Sequence, residues 1–209
     1  MKKIMMIAAM MVATVAAKAQ FEPGTFSLQP KVGFNLASVT GDGTKYKPGF
    51  AVGLEGQYQM NNWFALSAAV MYQQQGFKIK DMDDLKANID YVNIPIMAKF
   101  YVAKGLSLNV GLQPGIMVKA KMKGDVTYNG TTISYDEDFK DACNSFDLSV
   151  PMSIAYELPM GLTFEARYTY GVTNVGKDAF DGTNASSYDK FYKNKNDVFQ
   201  ITVGYKFAL

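Results

Sequence analysis

The chain has 209 residues with 21 basic and 19 acidic side chains, no histidine, one cysteine and a mean hydropathy of −0.06. No basic excess marks it for nucleic acid. The lack of histidine removes Ser-His-Asp chemistry, His-containing zinc sites and His general bases. Past residue 19 no run of 18 apolar residues occurs, so a membrane crossing would have to be made by strands rather than helices.

The first residues read as an export signal. Met1 to Lys3 are positive, Ile4 to Ala16 apolar, and Ala17, Lys18 and Ala19 form a small-x-small site, which predicts cleavage before Gln20. The apolar stretch is shorter than the ~20 residues that span a bilayer as a helix. Residues 1–19 are thus a predicted signal peptide and 20–209 one domain. Losing Lys2, Lys3 and Lys18 leaves 18 basic residues against 19 acidic ones, a nearly neutral mature chain.

From Phe26 onward apolar and polar residues alternate with a period of two, the signature of strands. Phe26, Leu28, Pro30, Val32, Phe34 and Leu36 oppose Ser27, Gln29, Lys31, Gly33 and Asn35. Phe50 to Met60 and Phe64 to Tyr72 repeat the pattern, with Glu55 on the polar face. Val92, Ile94, Ile96, Ala98, Phe100 and Val102 oppose Tyr91, Asn93, Pro95, Met97, Lys99 and Tyr101. Leu106 to Val118 oppose Ser107 to Lys119; Phe146 to Leu158 oppose Asp147 to Glu157; Leu162 to Tyr170 oppose Thr163, Glu165, Arg167 and Thr169. The last strand sets Phe199, Ile201, Val203, Tyr205, Phe207 and Leu209 against Gln200, Thr202, Gly204, Lys206 and Ala208, making eight strands in all.

Short links at Asn61 to Trp63, Ala103 to Gly105 and Pro159 to Gly161 alternate with long polar ones near Thr40 to Lys47, Lys80 to Asn88, Gly124 to Asn144 and Gly176 to Asn196. That is the short-turn, long-loop asymmetry of outer-membrane barrels, and it puts both termini on the periplasmic side. The predicted fold is all-β: an eight-stranded antiparallel up-and-down transmembrane barrel.

Alternation alone does not say which face points inward, since a soluble barrel would bury the apolar one. Volume decides. An eight-stranded interior is just wide enough for ordinary side chains, too narrow for the many rings of the apolar face. The polar face is rich in small residues such as Gly33, Ala51, Gly53, Ser67 and Gly111. The rings also cluster at strand ends, with Leu, Val, Ile and Ala between, as two aromatic belts around a lipid-facing band.

The charged residues Lys31, Glu55, Lys99, Lys119, Lys121, Asp147, Glu157, Glu165, Arg167 and Lys206 all fall on the polar face. They predict a paired lumen network that plugs the tube, with an ion path or ligand pocket as the alternative. Lys119 to Lys123 also suggest a basic extension beyond the membrane. Pro30, Pro95, Pro114 and Pro151 each delete a ladder donor inside a strand and argue for a bulge or a local break, with bulges expected near them.

The C-terminal spacing Thr202, Gly204, Phe207, Leu209 resembles the signal by which barrel insertion machinery recognises outer-membrane proteins. The run Tyr91 to Tyr101, with its Tyr-x-Asn-Ile-Pro segment, together with Pro30 to Asn35 and Gly111 to Gly115, resembles the Bacteroidetes outer-membrane β-barrel family that includes the PorT-like proteins. The resemblance implies a small outer-membrane barrel, mostly of unassigned activity, with secretion as the role of the name-giving member.

For function, a structural or interaction barrel is the expected reading, with no cofactor and no metal. Its partners would be outer-membrane lipid and a surface ligand or periplasmic protein, met on the outer side by loop aromatics Tyr135, Phe139, Phe180, Tyr188, Phe191 and Tyr192. The alternatives are a secretion-associated accessory barrel and an enzyme on lipid or peptide that works without histidine, for example through Glu157 and Glu165. Cys143 reads as a tolerated thiol or an intermolecular bridge. Asp136, Glu137, Asp138 and Asp141 read as a solvated loop rather than a cation site, because the spacing matches no compact Ca²⁺ loop.

Overall fold

A computed structural model describes residues 22–41, 43–80, 82–128, 131–177 and 194–209. The predicted signal peptide of residues 1–19, and Phe180, Tyr188, Phe191 and Tyr192, lie outside the described residues. The described strands are β1 (Phe26–Val39), β2 (Thr44–Asn61), β3 (Phe64–Ile79), β4 (Met82–Asn93), β5 (Ile96–Ala103), β6 (Leu106–Tyr128), β7 (Thr131–Asp138), β8 (Phe146–Glu157), β9 (Leu162–Gly171), β10 (Asn196–Tyr205) and β11 (Phe207–Ala208).

These make eight staves of one antiparallel ring. Strands β4 and β5 are two halves of one stave, parted at Ile94 and Pro95, and β10 and β11 are halves of another, parted at Lys206. Strand β7 pairs with β6 alone, as a hairpin above the ring. Closure is made by β1 against β10, from Lys31↔Gly204 to Val39↔Asn196, and continues as Leu28↔Phe207 on β11. A closed ring leaves no unpaired edge, which is what a sheet in hydrocarbon requires.

The two faces are inverted relative to a water-soluble protein. Inside, Glu55, Gln57, Gln73, Gln113 and Gln200 are each 1% exposed, whereas outside Val32, Leu112 and Ile201 are 59%, 55% and 53% exposed. So continuous an apolar coat far exceeds the few hundred Å² a soluble monomer shows, and it matches a lipid-facing surface. The belts take shape as expected. Trp63, Phe64 and Phe100 cluster at the short-turn end with centroids 5.2–6.3 Å apart, and Phe50 meets Tyr72 at 5.8 Å near the other end.

Two expectations are corrected. The ladder keeps its register through all four prolines: Met71↔Asn93 and Ala68↔Ile96 flank Pro95 without a shift, and Val110↔Met152 and Gln113↔Ser149 flank Pro151 likewise. The losses are shared locally. Ile94 N–H donates to Pro114 O at 2.8 Å and Ala69 N–H to Pro95 O at 3.0 Å, so a missing donor leaves a gap and not a bulge. The register shifts fall elsewhere, the most consequential between Asp90↔Lys119 and Tyr91↔Met117, where β6 carries one extra residue.

The polar segments near Thr40 to Lys47, Lys80 to Asn88 and Gly124 to Asn144 are largely strand, not loop, since β2 starts at Thr44, β4 at Met82, and β6 and β7 run on into a hairpin. Above the membrane no lipid-facing apolar row is needed, so the alternation that reveals the lower strands disappears from the outer face. It survives inside, where Val39, Phe77, Ala87, Ile89, Met117, Ala120, Cys143 and Val175 form an apolar cap over the tube.

The inverted faces give a direct test. Leu112 stands in the aliphatic band opposite Ile96, and Leu112→Lys should cost roughly 2–4 kcal/mol. Equilibrium unfolding in lipid vesicles reads this loss, and an unchanged stability would contradict the outward assignment.

Candidate functional site

The interior is arranged in tiers because each stave contributes every second residue to the lumen. The lower tier holds most of the charge. Lys31 Nζ donates to Glu55 Oε2 at 2.6 Å and to Glu165 Oε2 at 2.8 Å. Lys99 donates to the other oxygen of Glu55 and to Gln57 Oε1 at 3.0 Å. Arg167 reaches Glu165 Oε1 from Nε at 3.0 Å and from Nη2 at 2.8 Å. Lys206 donates to Glu157 and to Gln57 Oε1 at 3.1 Å, while Tyr101 O–H donates to Glu157 at 3.3 Å.

Small inward residues make this density possible. A Cβ on Gly204 would overlap Gln29 Nε2 and sit 3.0 Å from Lys31 Cγ, so glycine there lets the Lys31 stem and the Gln29 amide pass. Gln29 in turn donates to Thr163 across the tube.

Higher up the network becomes neutral. Gln73 donates to Gln200 at 3.1 Å and accepts from Asn93 at 2.8 Å and Gln75 at 2.9 Å. Asp147, far from the lower cations, is held by Ser149 at 2.5 Å, Asn196 at 3.0 Å and Thr173 at 3.2 Å. Asn196 also donates to Tyr91 Oη at 3.2 Å, directly beneath the apolar cap. A cavity among Gln29, Lys31, Lys99, Tyr101, Glu157 and Lys206 in the lower tier is about 10 Å³, at most the room one water requires.

The structure therefore brings eight of the ten expected network residues into the lumen: Lys31, Glu55, Lys99, Asp147, Glu157, Glu165, Arg167 and Lys206 are all buried. Lys119 and Lys121 are the exceptions and stand with Lys123 on the outer wall, in the basic extension. The extra residue in β6 turns Lys119 outward, where its side chain is 46% exposed and its Nζ lies 3.7 Å from Asp90. Glu157 and Glu165 are tied to separate cations and do not form a proton-sharing pair. The neutral partners Gln57, Gln73, Asn93 and Gln200 are the functional residues that a search for charges passes over; their place on the polar face is the signal that finds them.

Of the other expected residues, Thr202 and Gly204 face inward, while Phe207 and Leu209 are exposed on the outer face, with Leu209 N–H donating to Phe26 O at 2.9 Å. Tyr135 lies in β7 opposite Gly124. Phe139 is half-buried against the apolar cap and is not a free loop contact. The nearby acids diverge. Asp136 takes Lys123 at 3.0 Å, which holds its carboxyl below the usual range, Asp138 accepts the Lys140 N–H at 2.9 Å, and Glu137 lies opposite Met122 on the alternate face of β7.

Cys143 is 1% exposed in the cap, which overturns an intermolecular bridge, and burial pushes its thiol up to about 11.

A closed ring of eight strands, apolar toward lipid and packed with paired polar side chains, defines a small outer-membrane β-barrel. Residues 18–176 match the family described as outer membrane protein β-barrel domain, and the chain belongs to that family. No curated protein matches. Among solved structures, the chain is similar to Ail, the attachment invasion locus protein of Yersinia pestis, with a TM-score of 0.51 and 18% identity over 88% of this chain and 99% of that one. Ail in complex with the heparin analogue sucrose octasulfate gives the same TM-score and identity over 90% and 100%. Neisserial surface protein A gives 0.51 and 16% over 87% and 97%. At these identities the likeness is one of fold.

Two outcomes follow from the interior. Glu55→Gln removes the carboxylate shared by Lys31 and Lys99 and should destabilise the barrel by about 3–5 kcal/mol in vesicle unfolding. Cys143, a buried neutral thiol, should resist maleimide at pH 8 in the folded protein and react once the barrel is unfolded, as read by mass spectrometry.

Proposed function

We propose that this protein is a structural and interaction barrel of the outer membrane, closed to transport, that meets its partners through the strand extension above the upper belt. The observation that carries this reading is the lumen. Its lower tier pairs Lys31, Lys99, Arg167 and Lys206 with Glu55, Glu157 and Glu165, and the cavity among them is about 10 Å³, too small for a substrate or a water column. What remains for contact is the outside: the lipid-facing wall and the extension of β3, β4, β6 and β7.

Delivery fits the same reading. Residues 1–19 act as a cleaved signal peptide, and Thr202, Gly204, Phe207 and Leu209 serve the insertion machinery, two of them facing inward and two outward on the closing stave. The extension would present Tyr135 and the loop carrying Phe180, Tyr188, Phe191 and Tyr192 to a surface ligand, while the short turns offer the periplasmic contact. The absence of histidine and the separate pairing of Glu157 and Glu165 favour a non-enzymatic role. A secretion-associated role is the second reading, and it rests on the PorT-like segment Tyr91 to Tyr101, where Asn93 and Pro95 sit at the break between β4 and β5.

Purified protein in planar bilayers should show no steady conductance, and stable channels would overturn the closed-lumen reading. Cell fractionation should place the protein with outer membranes, with a gel mobility that changes on boiling. Shortening the β6–β7 hairpin should reduce surface attachment while leaving that mobility change intact. Attachment that survives the deletion would favour a purely structural role.

A further inference from the structure

Just above the upper belt, lysines stand side by side on neighbouring strands. Lys45 is paired with Lys78, Lys78 with Lys86, and Lys86 with Lys123. Directly opposed like charges repel, so a row this long favours an external anion. Lys121, opposite Asn88, and Lys119, opposite Asp90, extend it downward on the same wall of β6.

The acids nearby answer only part of this charge. Asp90 lies 3.7 Å from Lys119, and Asp136 lies 3.0 Å from Lys123 and 3.9 Å from Lys121. Asp138 is engaged with the Lys140 N–H at 2.9 Å and Asp125 with Ser134 at 2.6 Å. Among the described residues no acid stands within 4.0 Å of Lys78 or Lys86.

Height and direction identify the anion. Tyr72, in the belt with Phe50, donates its hydroxyl to Asp90 at 2.8 Å, which marks where the hydrocarbon ends. Asp90 to Lys86 is about 13 Å of strand at ~3.3 Å per residue, less in height because barrel strands tilt by roughly 40°. The headgroup layer adds roughly 5–8 Å on each side of the hydrocarbon, and lysine stems reach down toward it. The row on β4 and β6 points sideways, since the alternate residues Ala87, Ile89 and Ala120 are fully buried in the cap. It thus flanks the bilayer rather than crowning the loops.

We propose that Lys78, Lys86, Lys121 and Lys123 form a docking strip for the phosphate groups of outer-leaflet lipid headgroups. The proposal rests on the barrel standing in the outer membrane with its extension outward, which fractionation tests separately. The full barrel, purified in detergent and folded by the gel-mobility criterion, would be incubated with lipid A, with dephosphorylated lipid A and with a sulfated heparin-type oligosaccharide, and retained ligand measured.

Lipid A should be retained in clear preference to the dephosphorylated form. Lys86→Gln/Lys121→Gln/Lys123→Gln should lower retention by about tenfold or more, while the corresponding Lys→Arg variant keeps it. Equal retention of the two lipid A forms by the unaltered protein, or undiminished retention by the folded Gln variant, would overturn the proposal. So would binding of the sulfated oligosaccharide without lipid A, which would assign the strip to a soluble polyanion.

Discussion

Ring closure between β1 and β10 is the constraint from which the rest follows. In hydrocarbon a free N–H or C=O costs several kcal/mol, so the Lys31↔Gly204 to Val39↔Asn196 pairing is a condition for the chain to exist in a bilayer. Closure then forces the faces apart. With eight staves the inside is narrow and the outside meets lipid, so each strand must alternate, and the register must keep the alternation in phase around the whole ring. Within the lipid-crossing part register is strongly held: the pairing on either side of Pro95 and Pro151 continues without slipping, and the shift beside Pro48 falls near the upper end of β2.

Buried ion pairs are weak evidence for stability by themselves, since desolvation cancels much of their attraction. Here their importance lies in telling inside from outside. An apolar lumen would make the two faces of each strand alike, and a one-residue slip would then go unpunished. With Lys31, Glu55, Lys99, Glu165 and Arg167 interlocked across several staves, the same slip would put charges into lipid. The network also closes the tube, so one set of side chains specifies register and denies a pore.

Where a strand crosses lipid, its alternation is legible, and Phe26 to Leu36, Val92 to Val102 and Phe199 to Leu209 face as their spacing predicts. The lumen charges were legible for the same reason. Legibility fails at the membrane surface. The segments Lys80 to Asn88 and Gly124 to Asn144 are largely strand, and Lys- and Asp-rich stretches resemble loops when no apolar row accompanies them. The inner residues Phe77, Ala87, Ile89 and Ala120 of these extensions signal a core, but one buried above the bilayer rather than in it. Pairing partners are non-local, so the hydrogen-bond gaps at the prolines and the opposition of Lys45, Lys78, Lys86 and Lys123 appear only once the strands are set side by side.

Strand β6 shows why Lys119 belongs to the basic extension and not to the lumen. From Leu106 to Val118 the even residues are apolar and face lipid, and Ala120 and Met122 continue that rhythm while Lys119, Lys121 and Lys123 continue the polar one. Read straight through, the strand would point its lysines into the tube and its alanine and methionine at water. The extra residue opposite Asp90 and Tyr91 inverts the phase where the solvent changes: Met117 keeps the inward phase below it, Ala120 turns into the cap above it, and the lysines turn out. Strand β4 solves the same problem by composition, keeping its phase while its inner face passes from Asn93 and Tyr91 to Ile89 and Ala87. A bulge at the lipid boundary thus allows one unbroken alternation to serve two solvents, and it fixes the height at which the outer wall turns from apolar to cationic.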